Sequence, residues 1–71
     1  MTRKFPLREK DEFIQLIQLL KATGIAESGA IAQEMVVYGE VMVNGEVDYR
    51  KRAKLKKGDI IEIFQEKIEI V

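Results

Sequence analysis

A run of basic residues is the part of this sequence whose side chains are best suited to binding chemistry. Half of its 12 lysines and arginines fall within residues 50–57. Cations packed this densely repel one another, so a purely structural role explains them poorly, whereas the phosphates of a polyanion would neutralise them. Arginine supplies a planar fork of donors, and lysine supplies a mobile point charge. The candidate phosphate ligands in this stretch, called the basic segment below, are Arg50, Lys51, Arg52, Lys54, Lys56 and Lys57.

Other candidate contacts lie nearby in the sequence, and each has a structural alternative. Ser28 and Gly29 begin a predicted helix, where free amide hydrogens and the positive end of the dipole attract phosphate; the alternative is a plain N-cap. Lys21 could contact phosphate or simply complement the dipole of its own helix. Tyr49 could stack on an unpaired base or cover the edge of the core. The basic segment itself could be a solvated loop that is charged for solubility.

The residue types needed for most catalytic and metal sites are missing from the sequence. It contains no cysteine and no histidine, so it lacks thiolate ligands, the commonest zinc ligand and the usual general base near neutral pH. Ser28 is the only serine and has no histidine to activate it. The sequence also lacks a P-loop, a dinucleotide-binding glycine pattern and an EF-hand loop. We therefore expect no catalytic residue, no metal site and no cofactor.

Apolar residues recur at helical spacing in two stretches of the chain. The first predicted helix covers residues 11–23, with Asp11 as its N-cap and Gly24 at its end. The second covers residues 29–38 and ends at Gly39. The link between them is short, so the two helices must pack side by side or at an angle.

The apolar period changes to two after the second helix, which predicts a small sheet. At the other end of the chain, before the first helix, residues 3–7 are predicted to form either a short edge strand or a loose tail. Together these elements predict an α+β domain with two packed helices followed by a small, mainly antiparallel sheet. The predicted turns are Asn44-Gly45 and Gly58-Asp59, and the predicted strands are 41–47 around the first turn, 60–64 and 68–71.

One apolar core is expected between the helices and the sheet. Ala53 and Leu55 interrupt the cations of the basic segment, so we expect them to anchor that segment to the core. The aromatic residues expected in the core are Phe5, Phe13, Tyr38 and Phe64.

The length of 71 residues allows one domain, which we place at 1–71, with a core motif at about 12–64 and a tail or edge strand at 1–10. The net charge is zero, which by itself argues against nucleic-acid binding. The local field of the basic segment, however, matters more than net charge to an approaching polyanion. No stretch has the pattern of a signal peptide or a membrane span, so we expect a cytoplasmic protein. We also expect a monomer.

An ordered series of motifs resembles a known RNA-binding family. The series is Gly-x-Ala-x-Ser from Gly24, a helix, Gly-x-Val-x-Val-Asn-Gly, a basic stretch and Gly-Asp. This order, between Leu16 and Asp59, resembles the S4 RNA-binding domain. The Ser-Gly helix start and the basic cluster after the hairpin are similar to its small, stand-alone, ribosome-associated branch. The resemblance implies RNA binding without catalysis, with structured RNA such as ribosomal RNA as the target.

Three positions that are usually basic in this family are uncharged here, namely Gln15, Gly29 and Gln33. The missing charges at these positions and the zero net charge support a second hypothesis. In it, the chain is a protein-interaction module that docks on a ribosomal or RNA-processing partner. A third hypothesis, a membrane-surface helix, is weaker because the polar face of the first helix carries Asp11 and Glu12 rather than a row of cations. We expect no membrane partner.

Overall fold

Residues 2–71, which the computed structural model describes, form two helices and seven strands. Met1, the first residue of the predicted tail 1–10, lies outside the described residues. Both helices follow the first two strands, and the remaining five strands come after them. The elements are β1 (Thr2–Phe5), β2 (Ile14–Gln15), α1 (Leu16–Ala22), α2 (Gly29–Val37), β3 (Val41–Val43), β4 (Glu46–Val47), β5 (Lys54–Leu55), β6 (Ile60–Ile63) and β7 (Glu66–Ile70).

Five of the strands form one sheet in the order β1-β7-β6-β3-β4. Neighbouring strands pair antiparallel, except that β1 runs parallel to β7 at the edge of the sheet. The predicted α+β fold with a mainly antiparallel sheet is therefore confirmed. Of the two alternatives for residues 3–7, the structure has the edge strand, which covers Thr2–Phe5. The other two strands, β2 and β5, form a separate antiparallel ribbon in which Ile14 faces Leu55 and Gln15 faces Lys54.

The beginning of the first helix differs from the prediction. Asp11 does not cap it: α1 begins at Leu16, and its N-cap is Gln15, whose side chain makes no capping hydrogen bond. The first two amides of α1 instead donate to the carbonyl oxygens of Ala53 and Lys51, at 2.9 and 3.2 Å. Because these partners satisfy amides that a helix start leaves open, the chain before α1 can pair as a strand.

The remaining helix boundaries agree with the sequence to within one residue. Gly24 follows the end of α1 with a φ of 79°, a conformation that glycine adopts without steric penalty. The predicted N-cap of α2 is confirmed, because the hydroxyl oxygen of Ser28 accepts a hydrogen bond from the amide of Ile31 at 3.2 Å. α2 ends at Val37.

The two predicted turns are present and are joined by one side chain. Asn44 and Gly45 both have positive φ, 52° and 87°, as expected for a tight two-residue hairpin. The Asn44 side chain donates to the Asp59 carboxylate at 3.1 Å and accepts from the amide of Ile60 at 2.9 Å. Asn44 therefore holds the β3–β4 turn against the beginning of β6, which is a structural role.

Two of the aromatic residues predicted for the core lie on the surface instead. Tyr38 follows α2 and is 74% exposed, and Phe64 is 67% exposed. Phe64 occupies the tight turn between β6 and β7 with a φ of 56°, which is costly for an aromatic residue. This turn reverses the chain early, so β7 begins at Glu66 rather than at residue 68. Phe5 and Phe13 are half-buried.

The core lies between the two helices, the sheet and the β2–β5 ribbon. Every fully buried side chain within residues 2–71 is apolar. Neither of the two helices in that range has the length and apolar composition needed to cross a membrane. The largest fully buried side chains are Leu16, Leu19 and Leu20 of α1, Val36 of α2, and Val41, Leu55, Ile61, Ile63, Ile68 and Ile70 of the strands.

Candidate nucleic-acid interface

The basic segment is fastened to the fold by its two apolar residues. Ala53 and Leu55 are 4% and 1% exposed, which confirms that they anchor it to the core. The backbone adds a second attachment, since carbonyl oxygens of Lys51 and Ala53 accept hydrogen bonds from the start of α1. The cations therefore project from a backbone that is fixed on both sides of Arg52.

All six cations of the basic segment are exposed. Within residues 2–71, only Arg50 among them uses its side chain in a hydrogen bond or salt bridge. Four of the six line one shallow depression of about 450 Å³ together with Ala53. Three of these four, Arg52, Lys54 and Lys56, have no anionic partner within residues 2–71. Such cations on a shared concave surface are suited to a backbone with closely spaced phosphates. The four are Arg50, Arg52, Lys54 and Lys56.

Arg50 differs from the other cations because it is paired with Asp48. Its guanidinium donates two hydrogen bonds to the Asp48 carboxylate, at 3.0 and 2.8 Å, and its backbone amide donates a third at 2.9 Å. The side-chain hydrogen bond from Arg50 lowers the pKa of Asp48, and burial of the carboxyl opposes that effect in part. The same hydrogen bond raises the pKa of Arg50, so both groups stay charged near neutral pH.

Lys54 connects the basic segment with the chain that precedes α1. Its ammonium nitrogen lies 4.9 Å from the centroid of the Phe13 ring, within the range of a cation–π interaction. The backbone pairing of Lys54 with Gln15 holds this contact in place. Nothing in the sequence indicated the contact, because it joins residues that are far apart in the chain.

Lys21 and the start of α2 form a second candidate group. A β-carbon added to Gly29 would lie 3.9 Å from Cδ of Lys21, which is ordinary van der Waals contact. Lys21 is exposed, whereas Ser28 and Gly29 are partly covered. The structure thus brings together Lys21 and Gly29, which were separate candidates in the sequence. Lack of space does not explain the glycine, because a side chain would fit at this position.

Tyr49 lies at the beginning of the basic segment and is 65% exposed. Its ring packs against Gly39: a β-carbon added there would meet the hydroxyl and ring of Tyr49 at 3.2 Å. Gly39 also has a φ of 73°, so two independent features favour glycine at this turn. The ring remains open to solvent over most of its surface.

The three uncharged positions lie around these groups. Gln15 belongs to the β2–β5 ribbon, Gly29 begins α2, and Gln33 is exposed one turn further along that helix. Within residues 2–71 there is no cluster of acidic, histidine or cysteine side chains arranged to hold a metal ion.

Comparisons with known proteins agree with this arrangement. The S4 domain model matches residues 6–71. The putative RNA-binding protein YbcJ of Escherichia coli (strain K12) is 36% identical over 62 residues, which cover 87% of this chain and 89% of that protein. The probable ribosome maturation protein RlbA of Bacillus subtilis (strain 168) is 40% identical over 58 residues, 82% of each chain. The chain is also similar to the solution structure of E. coli YbcJ, which has an alfaL motif involved in RNA binding. The superposition covers 96% of this chain and 85% of the YbcJ chain, with a TM-score of 0.73 and 35% sequence identity. The resemblance seen in the sequence is therefore confirmed, and the chain belongs to the S4 domain family.

Proposed function

We propose that this protein binds structured RNA, with ribosomal RNA as the target, through a surface centred on the basic segment. The observation that carries the proposal is that five of the six exposed cations of the basic segment have no side-chain hydrogen bond or salt bridge within residues 2–71. The buried Ala53 and Leu55 hold the segment in place. The S4 relationship supports RNA as the polyanion, because the E. coli relative is named "putative RNA-binding protein YbcJ". The name of the B. subtilis relative, "probable ribosome maturation protein RlbA", supports ribosomal RNA. In this proposal the protein binds RNA and catalyses no reaction.

Different residues have different roles in this surface. Lys51, Arg52 and Lys56 are free to neutralise phosphates, with Lys54 and Lys57 beside them. Ser28, Gly29 and Lys21 extend the surface along the start of α2. Tyr49, which precedes Arg50 in the chain, offers an exposed ring. Because A-form RNA exposes mainly phosphates and 2′-hydroxyls, such a surface recognises shape more than sequence.

The test compares two triple variants with equal net charge. The first variant changes Lys51, Arg52 and Lys56 to Gln. The second, the control, changes Lys4, Lys10 and Lys67 to Gln; these three lysines are exposed and lie outside the basic segment. Binding to a labelled RNA hairpin is measured between low and moderate salt. About four phosphate contacts give a slope of log K against log salt near −3 for the wild type.

We expect the first variant to bind more weakly and to have a clearly shallower slope, by about one unit for each phosphate that is no longer neutralised. The control variant should keep both affinity and slope, since its cations lie elsewhere. Circular dichroism confirms that each variant is folded. Equal losses of affinity in the two variants would show that net charge alone governs binding and would contradict the proposed surface.

A protein partner remains the second candidate function, and one observation favours it. Val37 and Tyr38, at the end of α2, are 51% and 74% exposed and lie beside a shallow depression with Gln33 and Glu34. Val37 and Tyr38 are adjacent and line this depression together, and contiguous exposed apolar surface can mark a contact with another protein. If the wild type binds RNA weakly and without salt dependence, this surface becomes the place to look for a ribosomal or RNA-processing partner.

A further inference from the structure

A cleft separates the chain before α1 from the outer surface of that helix. It has a volume of about 660 Å³, within the size range of pockets that hold small organic ligands. Phe13 and neighbouring apolar residues line it, together with four exposed polar residues. The four are Arg8, Asp11, Gln18 and Lys21. The sequence pattern predicted a core position for Phe13 and indicated no role for Arg8, so neither was a candidate ligand.

The chemistry of the cleft fits a nucleotide. An aromatic ring in the lining offers a surface for a base, two exposed cations of the lining can meet a phosphate, and Asp11 and Gln18 can form hydrogen bonds with base edges. Within residues 2–71, none of the four polar side chains Arg8, Asp11, Gln18 and Lys21 takes part in a side-chain hydrogen bond or salt bridge with the rest of the protein. Their polar groups are therefore available to a ligand.

The position of the cleft connects the two parts of the candidate interface. On one side, Phe13 lies beneath the ammonium group of Lys54, which also lines the depression of the basic segment. On the other side, Lys21 contacts the position of Gly29 at the start of α2. The cleft therefore adjoins both the basic segment and the start of α2.

From this geometry we propose that the cleft receives one unpaired nucleotide of the bound RNA, with its base against Phe13 and its phosphate between Arg8 and Lys21. The inference rests on the proposed RNA-binding function and adds a preference to it. Fully paired RNA is held by the basic segment and the surface around it, whereas RNA with a base turned out of the helix also fills the cleft. The protein thus selects structured RNA that contains a bulge or an open loop.

The test uses two RNA duplexes that differ in one feature. One is blunt and fully paired, and the other has the same stem with three bulged uridines. Stacking of one base on an aromatic side chain predicts that the wild type binds the bulged duplex roughly tenfold more tightly than the blunt one. Ala22 is exposed and lines the cleft, so Ala22→Phe should fill the cleft without disturbing the core.

We expect Ala22→Phe to abolish the preference for the bulged duplex and to leave binding of the blunt duplex unchanged. Ala30→Phe is the matched control, since Ala30 is an exposed alanine of α2 outside the cleft, and it should keep the full preference. Phe13→Leu preserves apolar volume but removes the ring, and it should also abolish the preference.

Two results would overturn the cleft proposal while the proposed function stands. One is salt-dependent binding of both duplexes by the wild type with no preference between them. The other is a preference that survives in Ala22→Phe, which would leave the cleft to a protein side chain or to no ligand. If the wild type binds neither duplex, the proposed function and the cleft proposal fall together.

Discussion

The pair formed by Asp48 and Arg50 should contribute to stability in a pH-dependent way. Because the pKa of Asp48 is lowered in the folded protein, its carboxylate stabilises the fold at pH values above its ordinary pKa of 3.8. That contribution is lost as the pH falls below 3.8 and through the lowered pKa of the folded state. We expect Asp48→Asn to lower the free energy of unfolding at pH 7, and we expect the difference from wild type to shrink as the solution is acidified below pH 3.8.

The measurement is urea unfolding of both proteins from pH 7 to pH 3. Glu34→Gln is the control, because Glu34 is exposed on α2 and its side chain has no hydrogen bond or salt bridge within residues 2–71. It should match the wild type at every pH. A difference between Asp48→Asn and wild type that stays constant down to pH 3 would mean that Arg50 does not favour the charged form of Asp48.

At the scale of elements, the buried anchors of the basic segment should contribute to the stability of the fold, whereas its exposed cations should not. Leu55 is 1% exposed, so Leu55→Ala leaves a cavity and should lower the free energy of unfolding by about 2–5 kcal/mol. Lys56→Ala, at the next position, removes an exposed side chain and should change it by less than about 0.5 kcal/mol. Urea unfolding measures both changes, and equal effects would contradict a buried anchor.

The elements also show where local sequence patterns suffice and where they do not. The hairpin at Asn44-Gly45 and the helix stop at Gly24 were predicted correctly, because backbone preference at those residues determines the outcome. The start of α1 was not, because its amides are satisfied by carbonyl groups of residues 51 and 53, which no local pattern reveals. Phe64 was misplaced for a related reason, since a tight turn holds it outside the core that its hydrophobicity suggested.

The same distinction applies to the candidate site. The density of cations in residues 50–57 and the anchors Ala53 and Leu55 follow from sequence order alone. The cleft does not, because it is formed by two chain segments whose relative position depends on the β2–β5 ribbon. Such sites depend on contacts between residues far apart in the sequence, such as Lys54 and Phe13, which the order of residues does not reveal.

At the scale of the whole molecule, one apolar core joins both helices to the sheet, and we expect the chain to unfold as a single cooperative unit. A substitution that slightly destabilises the sheet should then lower the free energy of opening of the helices by the same amount. Ile68 is fully buried in β7, so Ile68→Val should lower the free energy of unfolding by about 0.5–1.5 kcal/mol without unfolding the protein.

Amide hydrogen exchange measures this loss of stability separately in each element. The most protected amides of α1 and of β6 should lose protection by the same amount in Ile68→Val, because both exchange only when the whole core opens. Val47→Ala is the control, since Val47 is 43% exposed on the edge strand β4 and should alter neither set. Loss of protection in β6 alone would divide the chain into two units. The basic segment, attached both to α1 and to the core, would then change position whenever one unit opened without the other.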